Sequence, residues 1–177
     1  MASGLGAGPV RREYAVAVFV VHDGAVLLHY HQKLARWLPP GGHVDPDELP
    51  NHAAIRETRE EVGLEIEIVA AVTAGYQDVD RGSGTPPRLP NPIGIQLEYI
   101  PGRPGNPAHQ HIDFVYAAKV REGPGVQPID VEGGATPGWF GPEEWVALGL
   151  TPEVVSWAGA AIRIAEDGAR HGVGENL

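Results

Sequence analysis

The chain has 177 residues, of which 42% are hydrophobic, and it contains no cysteine. A chain of this length is expected to form one domain with its own hydrophobic core, and not two full domains. The lack of cysteine excludes disulfide bonds, thiolate zinc sites and cysteine nucleophiles. The formal net charge of −10 at pH 7 disfavours binding to long nucleic acids, because such binding relies on Lys and Arg contacts to phosphates.

Both ends of the chain are expected to lie outside the folded domain. Residues 1–12 are rich in glycine and are predicted to form a flexible arm, residues 13–168 the domain, and residues 169–177 a frayed tail. The first ten residues lack the basic start and the long apolar stretch of a secretory signal. No apolar run reaches the roughly 18 residues needed to cross a bilayer. We therefore expect a cytoplasmic protein with no membrane partner.

Two strands joined by a tight turn are predicted near the start of the domain. Tyr14–Val21 reads YAVAVFVV and is apolar at nearly every position, as a strand buried on both faces would be. His22, Asp23 and Gly24 have the chemistry of a turn, and Ala25–Tyr30 follows as a second short strand. The pair is predicted to form a β-hairpin.

A helix with clear end signals is predicted over Pro50–Val62. Proline suits a first helical position, where its missing amide hydrogen would have no intrahelical partner. Gly63 suits the left-handed residue that follows a helix end. Ile55, Thr58 and Val62 fall on one side of this helix and are its expected core face.

Three glutamates, Glu57, Glu60 and Glu61, crowd the last two turns of that helix on the side away from its core face. This position is unfavourable for stability, because the helix dipole favours cations near a C-terminus and like charges three or four residues apart repel. Converging carboxylates supply the oxygen ligands that a hard divalent cation prefers, which makes Mg²⁺ the natural candidate. The alternative is a solvated acidic face in which Arg56 pairs with Glu60, four residues on.

More strands are predicted after this helix. Leu64–Ile68 and Gln110–Val120 alternate apolar residues with others, as strands with one exposed face do. Residues 74–108 hold six glycines and seven prolines, which is too many for regular structure throughout. Apolar residues alternate over positions 93–99 inside this stretch, so a short strand is expected there. The remainder of 74–108 is interpreted either as a segment that selects the substrate or as disordered chain.

A second helix is predicted to start at Thr151 and Pro152, which form a helix-start signal. Its apolar residues recur at helical spacing and form an expected buried stripe, made of Val154, Trp157, Ala158, Ala161, Ile162 and Ala165.

The spacing around the acidic helix resembles a known family signature. From Gly42 the order is Gly, five residues, Glu48, seven residues, Arg56, Glu57, one residue, Arg59, Glu60, Glu61, Val62, Gly63 and Leu64. This run resembles the Nudix box, and residues 37–42 resemble the family's approach to it. The signature asks for an aliphatic residue where Thr58 stands, and every other specified position matches. Thr58 is close to valine in shape and its hydroxyl can bond to the Ala54 carbonyl, so the departure concerns packing more than chemistry.

The resemblance implies a single-domain α/β (α+β) fold, in which a mixed β-sheet lies between helices and the box forms the active site. It also implies hydrolysis by water attack on a pyrophosphate bond of a nucleoside diphosphate linked to another group, with Mg²⁺ as cofactor and Mn²⁺ as a substitute. Nucleotide sugars, ADP-ribose and (deoxy)nucleoside triphosphates all remain open as substrates. The expected partner is therefore a small nucleotide, and family members are often homodimers.

The family's functional residues map onto positions of this chain. Glu57, Glu60 and Glu61 would bind the metal, directly or through water, and serve in catalysis, and the carbonyl of Gly41 or Gly42 would add an oxygen ligand. Glu132, which precedes Trp139 in the run VEGGATPGWF, is a candidate for an additional catalytic carboxylate. Its alternative is an ordinary acidic residue of a loop.

Other residues would position the carboxylates or contact the substrate. The expected positioning residues are Arg56, Glu48 and Gly42. Lys33 and Arg36 precede the box and are candidates for contacting phosphates, although such side chains are more often solvated surface. Tyr76 is a candidate for stacking on a base.

Two functions other than hydrolysis at the box are alternatives for this chain. A Nudix-like domain can act as a nucleotide-ligand sensor without turnover, but such a domain would be expected to have lost box carboxylates, and this chain keeps them. His109, His111 and Asp113 alternate along a predicted strand, as in the HxHxD pattern of zinc hydrolases. A further histidine of that pattern is replaced by Phe114, so the ligand count for a zinc hydrolase falls short.

Overall fold

Eight strands and two helices make up the part of the chain that the computed structural model describes, which is residues 10–69, 89–121, 127–129 and 135–171. The strands are β1 (Arg12–His22), β2 (Ala25–His31), β3 (Arg36–Leu38), β4 (Gly41–His43), β5 (Ile66–Ile68), β6 (Gly94–Ile100), β7 (His109–Val120) and β8 (Ala135–Phe140). The helices are α1 (Pro50–Val62) and α2 (Pro152–His171).

All eight strands belong to one mixed sheet with β1 and β7 at its centre. These two strands run parallel over ten residue pairs, from Arg12 opposite Gln110 to Val21 opposite Lys119. Every other pairing is antiparallel: β2 and β4 with β1, β3 and β8 with β2, and β5 and β6 with β7. The parallel central pair needs a long crossover, and the chain supplies α1 within it.

Each face of the sheet is covered by one helix. Alternate residues of β1 point to opposite faces, so Val16, Val18 and Val20 pack with α1, whereas Phe19 and Val21 pack with α2. The apolar stripe expected on α2 is confirmed, because all six of its members belong to this second core. The mixed sheet between helices confirms the fold expected from the sequence. Neither helix in the described ranges is long and apolar enough to cross a membrane.

The structure confirms the hairpin turn, the limits of the acidic helix and the short strand that the sequence predicts. The turn between β1 and β2 has positive φ at both Asp23 (48°) and Gly24 (75°), which is the backbone that a two-residue hairpin favours. The acidic helix has the predicted bounds, and Gly63 follows it in the left-handed conformation with φ 70°. The short strand expected near positions 93–99 is β6.

Three elements were not predicted: β3, β4 and β8. The first two have only three residues each, which is too short for an alternating pattern to be recognised. β8 contains Pro137 and Gly138, which weaken a strand signal. Of the segment at residues 74–108, which is predicted either to select the substrate or to be disordered outside its short strand, residues 74–88 lie outside the described residues. The domain limits at 13 and 168 also stay a prediction, and β1 begins one residue earlier, at Arg12.

Thr58 allows a direct test of the packing under α1. The residue is fully buried, and its hydroxyl donates to the Ala54 carbonyl over 2.8 Å. Thr58→Val should leave the free energy of unfolding unchanged within about 1 kcal/mol or raise it, because that carbonyl keeps its helical partner. Thr58→Ser keeps the hydroxyl but removes a buried methyl group, and should cost about 1 kcal/mol. Urea unfolding measures both, and a larger loss for valine than for serine would contradict this account.

Candidate active site

β4 lies so close to β1 and to the Glu57 side chain that a Cβ atom at either Gly41 or Gly42 would meet a neighbouring atom. A Cβ atom on Gly41 would lie 2.2 Å from the Val16 carbonyl oxygen, on the neighbouring strand β1. A Cβ atom on Gly42 would lie 2.5 Å from Oε1 of Glu57. Gly41 therefore permits the pairing of β4 with β1, and Gly42 leaves the space that the Glu57 carboxylate occupies.

Arg56 connects three carboxylates and the end of β4. Its Nε and Nη2 donate to the two oxygens of Glu48 over 2.9 and 2.8 Å, in the paired geometry typical of strong Arg–carboxylate contacts. Its Nη1 donates to Glu57 over 2.8 Å and to Glu60 over 3.1 Å. Nη2 also donates to the carbonyl of His43 over 3.0 Å. The expected i, i+4 pair of Arg56 with Glu60 is thus one contact of a larger network.

Glu61 is held separately, between α1 and the sheet. The backbone N–H of Gly41 donates to its Oε2 over 2.9 Å, and Nε2 of His29 lies 3.5 Å from the same oxygen. Only 11% of the Glu61 side chain and 15% of the Glu57 side chain are exposed, compared with 54% for Glu60. His29 was not singled out in the sequence; its only signal was its position in β2, two residues after the buried Leu27.

The electrostatics of these carboxylates suit a hard divalent cation. Burial raises the pKa of Glu57 despite its contact with Arg56, whereas the hydrogen bond from Arg56 lowers the pKa of Glu48. One guanidinium serves Glu48, Glu57 and Glu60, so negative charge remains in excess beside α1. Oxygen donors with excess negative charge are the ligand type that Mg²⁺ prefers.

The box carboxylates are not drawn together as one set of ligands. Within the described ranges, the groups of His, Asp and Glu whose ligand atoms all lie within 4.8 Å of one another do not contain Glu57, Glu60 and Glu61. Direct binding of one cation by all three therefore requires side-chain rotation or bridging water. Rotation of Glu57 or Glu60 would change its hydrogen bond with Arg56, which contacts both carboxylates.

A second cluster lies on the opposite face of the sheet from α1. Four side chains, Glu13, His43, His109 and His111, place ligand atoms within 4.8 Å of one another. Sequence reasoning identified only the two histidines of β7, because Glu13 and His43 are far from them in the chain and become neighbours through strand pairing. Burial and the adjacent imidazoles lower the pKa of His111, which favours its neutral form.

Asp113 does not belong to this cluster, although the sequence grouped it with His109 and His111. Its Oδ2 accepts a hydrogen bond from Gln96 over 3.2 Å, and burial raises its pKa. It forms a separate three-residue group with Glu98 and His111. The arrangement expected for a zinc hydrolase with these three ligands is therefore not what the structure shows.

Of the other residues named from the sequence, two lie in the described part of the chain. Lys33 is exposed in the turn before β3. Nη2 of Arg36 lies 3.8 Å from Glu98, and its Nε is buried with no hydrogen-bond partner among the described residues. Glu132 and Tyr76 lie outside the described residues, so their roles stay predictions.

A family model described as the NUDIX domain matches residues 11–158. The CTP pyrophosphohydrolase of Escherichia coli is 34% identical over 108 residues, which are 58% of this chain and 73% of that protein. The isopentenyl-diphosphate Delta-isomerase of Streptomyces avermitilis is 31% identical over 122 residues, covering 64% of this chain and 62% of the isomerase.

The asymmetrical bis(5'-nucleosyl)-tetraphosphatase of Mus musculus is 50% identical over 40 residues, which are 23% of this chain and 27% of the relative. The match therefore spans only about a quarter of that protein's length. Among solved structures, a hydrolase of the NUDIX family from Clostridium perfringens matches with a TM-score of 0.72 and 30% identity. That match covers 88% of this chain and 99% of the other.

Glu48→Gln should destabilise the fold in a pH-dependent way. The variant loses a charged, paired contact with Arg56, at a cost of about 1.5–3 kcal/mol near neutral pH. Because the folded-state pKa of Glu48 is lowered, its contribution is complete above the unfolded value of about 4.3 and is lost as the pH falls through the folded value. Urea unfolding of both proteins between pH 7 and pH 3 should show the difference shrinking in acid.

Glu65→Gln is the matched control, because Glu65 is an exposed glutamate that follows α1, as Glu48 precedes it. It should change the free energy of unfolding by less than about 0.5 kcal/mol. A Glu48→Gln effect that stayed constant down to pH 3 would show that the charge on Glu48 does not stabilise the fold.

The two glycines of β4 should respond differently to alanine. At Gly41 the new Cβ meets backbone of β1, which cannot move without breaking the pairing, so we expect a loss of at least about 2 kcal/mol. At Gly42 it meets the end of the flexible Glu57 side chain, so the loss should stay below about 1 kcal/mol. Equal losses in urea unfolding would contradict the assigned contacts.

Proposed function

This chain belongs to the NUDIX family, as its box predicted, and on that basis we propose that it is a Mg²⁺-dependent hydrolase of pyrophosphate bonds. Its substrate would be a nucleoside diphosphate linked to another group, of the nucleotide-sugar, ADP-ribose or (deoxy)nucleoside triphosphate class. A cytoplasmic location and a homodimer are further parts of this proposal.

The observation that carries the proposal is the arrangement of the box carboxylates on the charged side of α1. Arg56 holds Glu57 and Glu60, and the backbone of Gly41 holds Glu61. The core side of the same helix is occupied by buried Ala53, Ala54, Thr58 and Val62. The carboxylates are therefore attached to a rigid element, and they retain more negative charge than the neighbouring cation can neutralise.

This charge distribution fits the reaction. Hydrolysis adds water across a P–O–P bridge, so one phosphorus gains the new oxygen and the other keeps the bridging oxygen. Bound Mg²⁺ would neutralise the phosphate oxygens as negative charge builds on them. Glu57, Glu60 and Glu61 would bind the metal, with the Gly41 carbonyl as a further ligand, and a carboxylate would accept the proton of the attacking water. Glu132 remains a candidate for that base.

The names of the relatives support a diphosphate or polyphosphate substrate. Two of them are a nucleosyl tetraphosphatase and a CTP pyrophosphohydrolase, both hydrolases of nucleotides. The third is an isomerase of a diphosphate ester, so all three names refer to compounds with linked phosphate groups. Lys33 and Arg36 are the candidates for contacting that group, and Tyr76 for contacting a base.

A sensor without turnover is the less favoured alternative. Loss of catalysis removes the need for crowded carboxylates at a helix end, where they oppose the helix dipole. This chain keeps Glu57, Glu60 and Glu61, together with the arginine and glycine that orient them. Retention of the complete set favours an enzyme.

Substitution of single box carboxylates tests the proposal. With Mg²⁺ and a panel of nucleotide sugars, ADP-ribose and nucleoside triphosphates, the wild-type protein should release nucleoside monophosphate and identifiable second products. Glu60→Gln and Glu61→Gln should each lower turnover by at least about 100-fold, because each removes charge that the transition state requires. Glu67→Gln, at an exposed position of β5, is the matched control and should retain wild-type turnover.

Each outcome of this panel has a defined meaning. Survival of every substrate with the wild-type protein would reject hydrolysis, and tight nucleotide binding without turnover would favour the sensor. Isopentenyl diphosphate belongs in the panel as well, because its conversion without release of phosphate would favour an isomerase. Full turnover by both glutamine variants would show that the box does not carry the reaction.

A further inference from the structure

We propose that Glu13, His43, His109 and His111 form a binding site for Zn²⁺, separate from the Mg²⁺ site of the box. The four side chains come from three neighbouring strands: Glu13 from β1, His43 from β4, and the other two histidines from β7. They lie on the face of the sheet opposite α1, and the reaction proposed above does not use them.

The distances within the cluster match a tetrahedral site. Four ligands at about 2.0–2.1 Å from Zn²⁺ lie about 3.3 Å from one another. Nε2 of His111 lies 3.2 Å from Nε2 of His43 and 3.1 Å from Nε2 of His109. Oε2 of Glu13 lies 3.4, 3.3 and 3.8 Å from the Nε2 atoms of His43, His109 and His111. These five separations bracket the value expected around one zinc ion.

With neutral rings, hydrogen bonds account for only part of these contacts. Nδ1 of His109 lies 3.0 Å from the Pro107 carbonyl, which can only accept, so Nδ1 carries the hydrogen and Nε2 of neutral His109 presents a lone pair. Nε2 of His111 contacts two other Nε2 atoms, and one N–H cannot donate fully to both. The Glu13 carboxylate faces the same three nitrogens and needs donors of its own. One divalent cation would satisfy all four ligand atoms.

The backbone places the ligands without any loop rearrangement. Glu13 pairs with His111 across β1 and β7, and His43 pairs with Ala15, two residues from Glu13 on the same face. His109 is two residues before His111, so both rings point to one side. The Pro107 contact resembles the outer hydrogen bond that usually orients a metal-binding histidine. Arg11 uses the other oxygen of Glu13, Oε1, and leaves Oε2 for the cluster.

Exposure and ligand type favour zinc over magnesium. The side chain of His109 is 4% exposed and that of His43 is 57% exposed, so the site is anchored in the protein and open to solvent at one ligand. Three imidazole nitrogens and one carboxylate oxygen suit Zn²⁺, whereas Mg²⁺ prefers oxygen ligands in octahedral geometry. The cluster and the box should therefore select different metals.

β4 connects this cluster to the box. The side chain of His43 enters the cluster, while its carbonyl accepts the hydrogen bond from Arg56. Two residues earlier, the N–H of Gly41 donates to Glu61. Zinc bound to His43 would tie β4 to β1 and β7, and so would hold the backbone groups that position Arg56 and Glu61.

Zinc binding is measured on metal-stripped, full-length protein in the presence of millimolar Mg²⁺, by competition with a chromogenic chelator. We expect one Zn²⁺ per chain, and X-ray absorption of the complex should show nitrogen and oxygen ligands with about three imidazoles. His111→Ala should weaken zinc binding at least about 100-fold, because a direct ligand is lost. His52→Ala is the matched control, since His52 is exposed on α1 outside the cluster, and it should bind zinc as the wild type does.

Two further variants separate this site from the box and from a folding defect. Glu60→Gln combined with Glu61→Gln should leave zinc affinity unchanged, since neither residue belongs to the cluster. His43→Ala alters a largely exposed side chain and should weaken zinc binding even if His111→Ala does not fold. Absence of stoichiometric zinc binding would show that the cluster is only a hydrogen-bonded network. Zinc binding that is lost in the box variant and kept in His43→Ala would overturn the proposal.

Discussion

The structure around α1 depends on the contacts of one guanidinium group. Arg56 joins Glu48 before the helix, Glu57 and Glu60 on it, and the carbonyl of His43 in β4. Without this cation, the acidic end of α1 would combine mutual repulsion with an unfavourable helix dipole. The paired contact with Glu48 fixes the plane of the guanidinium, and that plane determines where the other two carboxylates lie. The repulsion is thus reduced by a built-in cation, and the remaining negative charge is available for a metal.

β4 contacts groups on both faces of the sheet, although it has only three residues. Gly41 lies so close to β1 that a Cβ atom there would meet backbone, and Gly42 leaves the space that the Glu57 carboxylate occupies. The carbonyl of the next residue, His43, accepts a hydrogen bond from Arg56, and the ring of His43 belongs to the histidine cluster. A shift of this strand would therefore disturb both candidate metal sites together. The parallel pairing of β1 with β7 limits such a shift, because it anchors Glu13 and His111 in register.

The two clusters differ in ligand chemistry as well as in position. The box offers carboxylate oxygens and an arginine, and burial there raises the pKa of Glu57, a shift that a bound cation would oppose. The second cluster offers three imidazoles and one carboxylate, with the pKa of His111 lowered. An oxygen-rich site and a nitrogen-rich site in one small domain can hold different divalent metals at the same time. The histidine cluster is therefore a candidate metal site with its own ligand set, and not an incomplete zinc-hydrolase motif.

The sequence by itself determined the features that depend on local backbone chemistry and periodicity. Pro50 and Gly63 set the limits of α1, Asp23 and Gly24 set the hairpin, and the box spacing identified the family and the acidic face. Only the tertiary structure decided which distant residues meet. Glu13 and His43 join the histidines of β7 because β1 pairs with both β4 and β7, and His29 reaches Glu61 because β2 places it on the face of the sheet that α1 covers. Such contacts depend on strand register across the sheet, and a register has no signature in the local pattern of a single strand.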